Sequence, residues 1–247
     1  MLELKHVSYE VSGESTENVG IINDISLTVD NRRFVVITGP NGGGKSTLAR
    51  LIAGIIRPTS GRIYLDGQDI TDVSITDRAK MGISFAFQQP VKFKGLDVLD
   101  LIRLAAGKKV SAADACEYLS AVGLCAKDYI RREVNGSLSG GELKRIEIAT
   151  ILARKTRLSV FDEPEAGIDL WSFQNLIRIF EQMREDIKDS SIIIISHQER
   201  ILSIADEIVV LADGQIRAQG SREVVLPTLM GTDSAVGACH KLSNLGS

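Results

Sequence analysis

Residues 39–47 read GPNGGGKST and follow directly after the apolar run FVVIT at residues 34–38. Their spacing matches the pattern G-x-x-x-x-G-K-[ST], in which glycines let successive backbone N–H groups turn inward around phosphate oxygens. Residues 46–56 carry apolar side chains at helical spacing, and the N-terminus of such a helix would add its positive dipole to the same site. A strand, this loop and a helix in that order predict a site for a nucleoside triphosphate.

Individual side chains of this loop have distinct predicted roles. Lys45 supplies a mobile cation for the β- and γ-phosphates, and Ser46 supplies a hydroxyl ligand for Mg²⁺. The alternative is a glycine-rich turn that only joins a strand to a helix, and the order of the elements disfavours it. The residues predicted to contact the nucleotide here are Gly39, Pro40, Asn41, Gly42, Gly43, Gly44, Lys45, Ser46 and Thr47.

Composition is that of an ordinary globular protein. The chain has 247 residues, of which 44% are hydrophobic and 25% charged, and its net charge of −3 gives no reason to expect nucleic-acid binding. No stretch approaches the roughly 18 apolar residues of a membrane span, and the N-terminus lacks the layout of a signal peptide. Cys116, Cys125 and Cys239 form neither a CxxC pair nor a disulfide framework, and a lone Cys239–His240 pair is usually incidental. We expect a cytoplasmic protein.

Apolar runs and turn residues divide the chain into alternating strands and helices, which argues for a parallel α/β sheet. Strands are predicted at residues 2–11, 25–29, 34–38, 83–87, 158–161 and 192–195, with a hairpin at 57–70 and a last strand-like run at 207–216. Helical segments between residues 90 and 150 interrupt this alternation. We therefore predict a single domain with three parts: an α/β core (1–89 and 151–225), a helical subdomain (90–150) and a tail (226–247).

Two acidic residues end the predicted strand at 158–161. A carboxylate at the end of a buried strand beside the phosphate loop is where a Mg²⁺ ligand belongs, and Asp162 has that position. Glu163 follows, and because the backbone can turn at a strand's end, its side chain can also face the phosphates and polarise the attacking water. The alternative is that residues 162–165, DEPE, form a charged surface turn.

Two further polar residues lie at predicted strand ends. His197 follows the four isoleucines at 192–195, on the ligand side of an open α/β sheet, where it can donate to a γ-phosphate. Gln88 lies where the core gives way to the helical subdomain, and its amide can contact water, phosphate oxygens or the metal. Gln89 is a competing candidate for that role.

Residues 138–142 read LSGGE and predict the start of a helix. Ser139 with Glu142 three residues later forms a capping box, but a capping box does not require two glycines inside it. Exposed N–H groups at a helix N-terminus suit a second anion site. If the helical subdomain holds this site away from Lys45, two copies of the chain must meet head to tail to bring them together.

With these residues identified, the chain resembles an ATP-binding-cassette (ABC) ATPase over nearly its whole length. The matching motifs, in family order, are GPNGGGKST for the Walker A, Gln88 for the Q-loop, LSGGE for the signature, LSVFDEP for the Walker B, residues 166–169 for the D-loop and His197 for the H-loop. Tyr9 matches the aromatic residue that stacks on adenine in this family, a contact of about 1–3 kcal/mol. The resemblance implies a P-loop NTPase (RecA-like) α/β core with an N-terminal antiparallel β subdomain and an inserted helical subdomain.

The resemblance also implies an ATP-dependent homodimer that sandwiches two ATP molecules with Mg²⁺. Ser139, Gly140 and Gly141 of one copy would contact the γ-phosphate held by the other copy, and Asp169 would cross the interface. Among the catalytic residues, Glu163 would be the base and His197 would donate a hydrogen bond to the γ-phosphate. Gln88 would report the state of the nucleotide to whatever binds the helical subdomain. The metal-contacting residues would be Ser46, Gln88 and Asp162.

The motifs differ from the usual family pattern at two positions. Gly43 replaces a serine, which should matter little because this position works through its backbone N–H. Glu142 replaces a glutamine, and its carboxylate should repel a triphosphate unless the capping box turns it away.

Within the family, several strings resemble the soluble ATPase of the Suf iron–sulfur cluster assembly machinery (SufC). These strings are GISFAFQQPVKFKG at 82–95, SGGELKR at 139–145 and the His197–Arg200 segment. The string EPEAGID at 163–169 is instead closer to the pattern of membrane transporters. The resemblance thus implies an ATP hydrolase that drives a conformational change in a SufB/SufD-like scaffold. The alternatives are the ATPase subunit of a membrane transporter and a catalytically idle nucleotide-gated protein.

Overall fold

Strands and helices alternate through most of the chain, as the sequence predicts. The structure is a computed structural model that describes residues 1–12, 18–107, 110–185 and 190–231. Its strands are β1 (Leu2–Ser12), β2 (Asn18–Val29), β3 (Phe34–Thr38), β4 (Ser60–Leu65), β5 (Gln68–Asp69), β6 (Ile83–Ala86), β7 (Leu158–Asp162), β8 (Ser191–Ile195), β9 (Glu207–Ala212) and β10 (Gln215–Ser221). Its helices are α1 (Lys45–Ala53), α2 (Ile75–Lys80), α3 (Val98–Ala106), α4 (Ala112–Ala121), α5 (Ala126–Tyr129), α6 (Gly140–Arg154), α7 (Leu170–Glu185) and α8 (Glu199–Leu202), and residues 222–231 are also helical.

The larger sheet has six strands in the order β10-β9-β3-β8-β7-β6 and is parallel except for the β9–β10 pair. Alternate residues of its central strands face two different cores. Val36 packs among the residues of the helical side, whereas Val35 and Ile37 pack on the side of α1 and the smaller sheet. Because both faces are covered, β3, β7 and β8 are buried along their whole length, which explains their uninterrupted apolar sequences. Their carboxyl ends meet at one edge of the sheet.

The smaller sheet is antiparallel and has the order β2-β1-β4-β5. One face of it packs on α1 and on the central strands of the larger sheet. This arrangement confirms the predicted P-loop NTPase fold with an N-terminal antiparallel β subdomain. The predicted hairpin at 57–70 is also present, as β4 and β5 joined at Asp66 and Gly67, both of which have positive φ.

The helical insertion consists of α3 to α6 and confirms the predicted helical subdomain. Helix α6 packs against α3 and α4 and begins with the capping box of Ser139 and Glu142. It continues to Arg154 and leads through a short connection into β7, so one helix joins the subdomain to the sheet.

The strand-like run at 207–216 was predicted as one strand and is two. It folds into the β9–β10 hairpin, whose turn residues Asp213 and Gly214 have φ of 52° and 70°. Positive φ at both central positions is the requirement of a tight hairpin turn, and the Asp-Gly dipeptide is its sequence signal. The prediction was wrong because Ile216, which lies past the turn, was taken as the end of the apolar run of β9.

Helix α2 was also not predicted, and a buried arginine explains its position. Arg78 is fully buried and donates hydrogen bonds to the carbonyl oxygens of Leu51 and Ile52 at the end of α1, and to those of Ile70 and Thr71. Carbonyl groups at a helix end need such partners. Burial lowers the pKa of Arg78 to about 10, so the guanidinium remains charged at neutral pH.

Candidate functional site

The phosphate loop lies between the carboxyl end of β3 and the start of α1. Nζ of Lys45 donates hydrogen bonds of 2.9 Å to the carbonyl oxygens of both Gly39 and Pro40, and the residue is only 5% exposed. The lysine therefore spans the loop from its helical end to its first residues. Its ammonium group lies within the concave side of the loop, where a polyphosphate would be held.

Two glycines of this loop lie too close to β9 to carry a side chain. Gly39 has φ of 136°, and a Cβ there would lie 1.9 Å from the carbonyl oxygen of Leu211 in β9. At Gly43 a Cβ would lie 2.9 Å from the same oxygen, closer than such contacts occur. The serine usual in the family at this position would not fit without a shift of β9. The glycine at 43 is thus matched to a loop held closely against β9, a requirement that the sequence did not reveal.

A hydroxyl and a carboxylate meet beside the loop. Oγ of Ser46 donates to Oδ1 of Asp162 over 2.9 Å, which joins the start of α1 to the end of β7. Burial raises the pKa of Asp162, while the Ser46 hydrogen bond opposes that rise. One carboxylate and one hydroxyl next to a phosphate loop form the donor set that Mg²⁺ uses when substrate phosphates and water complete its coordination, so these residues fit that ion.

The next residue, Glu163, is in a backbone conformation that non-glycine residues seldom adopt. Its φ is 44°, and its N–H is bonded to the carbonyl oxygen of Ile195 at the end of β8. Its Oε2 accepts a hydrogen bond of 2.6 Å from Nε2 of Gln88. Of the two competing glutamines, Gln88 is therefore the one that contacts the Walker B glutamate. A strained conformation held by its surroundings is common at functional sites.

His197 lies two residues beyond Ile195, at the end of β8, and is exposed. Its Nε2 is 3.4 Å from Nε2 of the neighbouring Gln198. The preceding Ser196 donates a hydrogen bond to Glu165, which connects this strand end to the Walker B segment. Burial raises the pKa of Glu165, and its Oε2 has no hydrogen-bond partner among the described residues. The DEPE segment is therefore built into the site and is not a charged surface turn.

The signature opens α6, and its glutamate is turned back onto the N-cap residue Ser139. Oε2 of Glu142 accepts from the N–H of Ser139 over 2.6 Å, and Oε1 accepts from the hydroxyl of Tyr129 and lies 3.6 Å from Arg132. Partial burial acts to raise the pKa of Glu142, but the hydrogen bonds from Tyr129 and Ser139 outweigh it and lower the pKa. The capping box expected for a glutamate at this position is present, and it engages Oε2 of the carboxylate.

The signature glycines face the D-loop of the same chain. A Cβ on Gly140 would lie 3.2 Å from the carbonyl oxygen of Gly167, and one on Gly141 would lie 2.6 Å from Oγ of Ser172. Asp169 caps α7: its Oδ1 accepts from the N–H of Trp171 and of Ser172, and its Oδ2 accepts from the Ser172 hydroxyl. Within the described ranges no hydrogen bond joins residues 139–141 to the phosphate loop.

Tyr9 is half-buried in β1, and its neighbour on β2 approaches the phosphate loop. It pairs with Ile22 across β1 and β2, and a Cβ on Gly44 would lie 2.7 Å from the side chain of that isoleucine. Tyr9 also packs partly against the core on the side of the smaller sheet. Cys116 and Cys125 are free thiols, and Cys239 and His240 lie outside the described residues.

Comparison with known proteins decides the family. The sequence model described as ABC transporter matches residues 22–166. The chain belongs to the ABC transporter family. As a member of that family it binds ATP with Mg²⁺ and is an ATPase.

Relatives of this ABC protein match along most of its length. An uncharacterized ABC transporter ATP-binding protein, MJ0035 of Methanocaldococcus jannaschii, is 38% identical over 216 residues, covering 84% of this chain and 86% of the relative. The probable ATP-dependent transporter ycf16 of Cyanophora paradoxa is 30% identical over 239 residues, covering 91% and 90%. A solved structure, the dimeric ATP-binding cassette MJ0796 bound to ADP and Pi, has a TM-score of 0.80 at 24% identity and covers 90% of this chain and 99% of its own. That likeness confirms the fold.

Three charged residues of the site were not identified from the sequence. Glu165 was treated only as part of the DEPE segment, and Lys144 and Glu147 were treated only as part of a helix. Their signal was weak, because on an amphipathic helix a charged residue is normally placed on the solvated face. The side chain of Lys144 is instead buried and that of Glu147 is mostly buried, and both lie beside the Q-loop. In the described part of the chain no helix is both long and apolar enough to cross a membrane.

Proposed function

We propose that this ATPase hydrolyses ATP in composite sites between two copies of the chain and thereby drives a conformational change in a partner. The observation that carries the proposal is the separation of the two phosphate-binding elements. Lys45, Ser46 and Asp162 meet at one edge of the α/β sheet. Ser139 begins a helix of the other subdomain and has no hydrogen bond to the phosphate loop in the described ranges. A second copy, placed head to tail, would supply the missing half of each site.

The residues of one copy divide the chemistry between them. Lys45 and the N–H groups of the phosphate loop bind the phosphates, and Ser46 and Asp162 would hold a Mg²⁺ ion, which would offset the phosphate charge. Glu163 accepts the proton of the attacking water, and Gln88 orients that carboxylate through the 2.6 Å hydrogen bond. His197 donates to the γ-phosphate from the adjacent strand end. The strained backbone of Glu163 supports this role, since it places the side chain at the ligand edge of the sheet.

The γ-phosphate would control closure of the dimer. To shift an open and closed population from 1:99 to 99:1, ATP must favour the closed state by about 5.5 kcal/mol. Charge-assisted hydrogen bonds from Ser139, Gly141 and His197 to the γ-phosphate account for such a difference, because ADP lacks the group they contact. Hydrolysis removes those contacts, and the two copies separate.

For the partner, we propose a soluble scaffold resembling SufB and SufD, used in iron–sulfur cluster assembly. The support is the glutamate-bearing signature together with the Gln88 and His197 segments. Glu142 accepts hydrogen bonds from the Tyr129 hydroxyl and the Ser139 N–H.

A membrane transporter subunit is the second candidate. The names of the relatives favour it, and so does an apolar groove of about 300 Å³ between the Q-loop and the helical subdomain. Such a groove suits the apolar face of a partner helix. Its apolar lining includes Phe87, Val91, Phe93, Leu101, Leu104 and Ile146.

Purification with the native partner separates the two candidates. The tagged full-length protein is isolated from its own cells with and without detergent, and the copurified proteins are identified. A scaffold that stays bound without detergent supports the assembly role. A partner that requires detergent excludes that role and supports transport.

A further inference from the structure

Two side chains of α6, those of Lys144 and Glu147, form hydrogen bonds with the backbone of Phe87. Nζ of Lys144 donates a hydrogen bond to the carbonyl oxygen of Phe87, and Oε1 of Glu147 accepts one of 3.2 Å from its N–H. Nζ of Lys144 also lies 3.8 Å from Oε2 of Glu147. Because Phe87 directly precedes Gln88, these two side chains fix the chain at the base of the Q-loop.

Fold stability gives little reason for a charged pair at this position. The side chains of Lys144 and Glu147 are only 3% and 16% exposed. Burial lowers the pKa of Lys144 and raises the pKa of Glu147 to about 7, and Oε2 of Glu147 has no hydrogen-bond partner in the described residues. A buried ion pair with incomplete hydrogen bonding is often no more stable than apolar side chains of the same volume. The pair therefore calls for another explanation.

The location of Lys144 and Glu147 supplies a functional explanation for the pair. Lys144 lies five residues after Ser139 on the same helix, so it moves with the signature. Its hydrogen bond to Phe87 passes that movement to Gln88, whose amide contacts Glu163 over 2.6 Å. These contacts form an unbroken series from the start of the signature helix to the proposed base.

We propose that Lys144 and Glu147 are positioning residues that hold Gln88 against Glu163 and tie its placement to the helix carrying the signature. The proposal rests on the roles proposed above for Gln88 and Glu163. Neither Lys144 nor Glu147 contacts those two side chains directly; both act through the backbone of Phe87. A displacement of α6 relative to the sheet would draw Gln88 away from Glu163, so the base is correctly oriented in only one position of the helical subdomain.

The test compares single and double substitutions of the pair in the full-length protein. Removing one charge leaves the other buried and unpaired, so Lys144→Met and Glu147→Gln should each lower the stability. The double variant removes both charges, and its urea midpoint should return towards that of the parent. Its kcat for ATP should nevertheless fall at least about fivefold with KM unchanged, because the base is misplaced while the phosphate loop is intact.

If the pair only stabilises the fold, the double variant should recover its ATPase activity together with its stability. A decrease in kcat of less than about fivefold in the stable double variant would overturn the proposal. If the double variant does not fold, the two single variants are compared with each other. Lys144→Met removes the donor to the Phe87 carbonyl oxygen and should lower kcat at least about fivefold, whereas Glu147→Gln keeps an acceptor oxygen for the Phe87 N–H and should lower it less; equal kcat values would overturn the proposal. The matched control is Glu181→Gln, an exposed glutamate of α7, which should match the parent.

One further variant separates this proposal from the proposed function. Glu163→Gln is assayed in parallel. If it hydrolyses ATP at the parent rate, the role of Glu163 fails, and the positioning proposal fails with it. If it is inactive and the double variant has parental kcat, only the positioning proposal is overturned.

Discussion

The side-chain amide of Gln88 donates a hydrogen bond of 2.6 Å to Oε2 of Glu163. This contact joins the last residues before the helical subdomain to the end of β7, two segments that are 75 residues apart in the chain. A glutamate oriented in this way keeps its other oxygen, Oε1, for a proton acceptor role. The pair is therefore the natural point from which to test the proposed chemistry.

Glu163→Gln should abolish most hydrolysis while nucleotide binding is retained. The amide cannot accept the proton of water, so turnover should fall by roughly 10²–10⁴, and the ATP-bound dimer should accumulate. Phosphate release and light scattering with Mg²⁺ and ATP measure the two effects. Glu181→Gln serves as the control, and a parental rate in Glu163→Gln would show that the base is another residue.

Lys45→Ala should weaken ATP binding itself. The substitution removes the cation at the phosphates and also the two hydrogen bonds to Gly39 and Pro40 that span the loop. Calorimetric titration with ATP and Mg²⁺ should show an affinity at least about tenfold lower, the equivalent of one charge-assisted contact. The exposed Lys127→Ala is the control, and an unchanged affinity in Lys45→Ala would contradict a phosphate role.

Gly43→Ala tests the close contact between the phosphate loop and β9. The added Cβ would lie 2.9 Å from the carbonyl oxygen of Leu211, so the loop or the strand must shift. We expect a loss of about 1–3 kcal/mol in the free energy of unfolding, with weaker ATP binding. Gly136→Ala is the matched control, because the nearest atom to its Cβ would be 3.9 Å away. Parental unfolding of Gly43→Ala in urea would show that the strand accommodates the methyl group.

Glu142→Gln should change the pH dependence of stability more than it changes catalysis. The lowered pKa of Glu142 means that its carboxylate stabilises the fold above its ordinary pKa and loses that effect as the pH falls through the lowered value. The variant should therefore be less stable than the parent by about 1 kcal/mol at pH 7, and the difference should shrink below about pH 4.

Urea unfolding at several pH values measures this difference, and the exposed Glu181→Gln is the control. Hydrolysis by Glu142→Gln should stay within about threefold of the parent, because both carboxylate oxygens are engaged by Tyr129 and Ser139. A difference in stability that is independent of pH would mean that the capping box does not depend on the charge of Glu142.

Trp171 offers a direct signal for the proposed dimer. It is the only tryptophan of the chain, it is 78% exposed, and it lies two residues from Asp169 of the D-loop. Closure of a D-loop interface should bury it, so its emission should shift to shorter wavelength when Mg²⁺ and ATP are added to Glu163→Gln. With Lys45→Ala added to that variant, the same shift should need at least about tenfold more ATP. If scattering reports a dimer while the emission stays unchanged, the interface does not include the start of α7.

The sequence by itself determined the fold and the residues of the phosphate loop and Walker B. These elements are local: a buried strand, glycine-rich backbone and a helix start follow from residues that are adjacent in the chain. The capping box of Ser139 and Glu142 was identified for the same reason. The β9–β10 hairpin was missed, although its signal at Asp213 and Gly214 is also local, because the apolar pattern on both sides resembled one strand.

Tertiary structure alone decided which side chains meet. Three sets of contacts each join segments that are far apart in the chain. Gln88, and not Gln89, contacts Glu163; Lys144 and Glu147 contact the backbone of Phe87; and Gly43 lies against Leu211. Periodicity assigns a residue to a face of its own helix or strand but does not specify the element that will cover that face. The environment that sets the charge and orientation of these groups therefore exists only once the sheet and the helical subdomain have packed together.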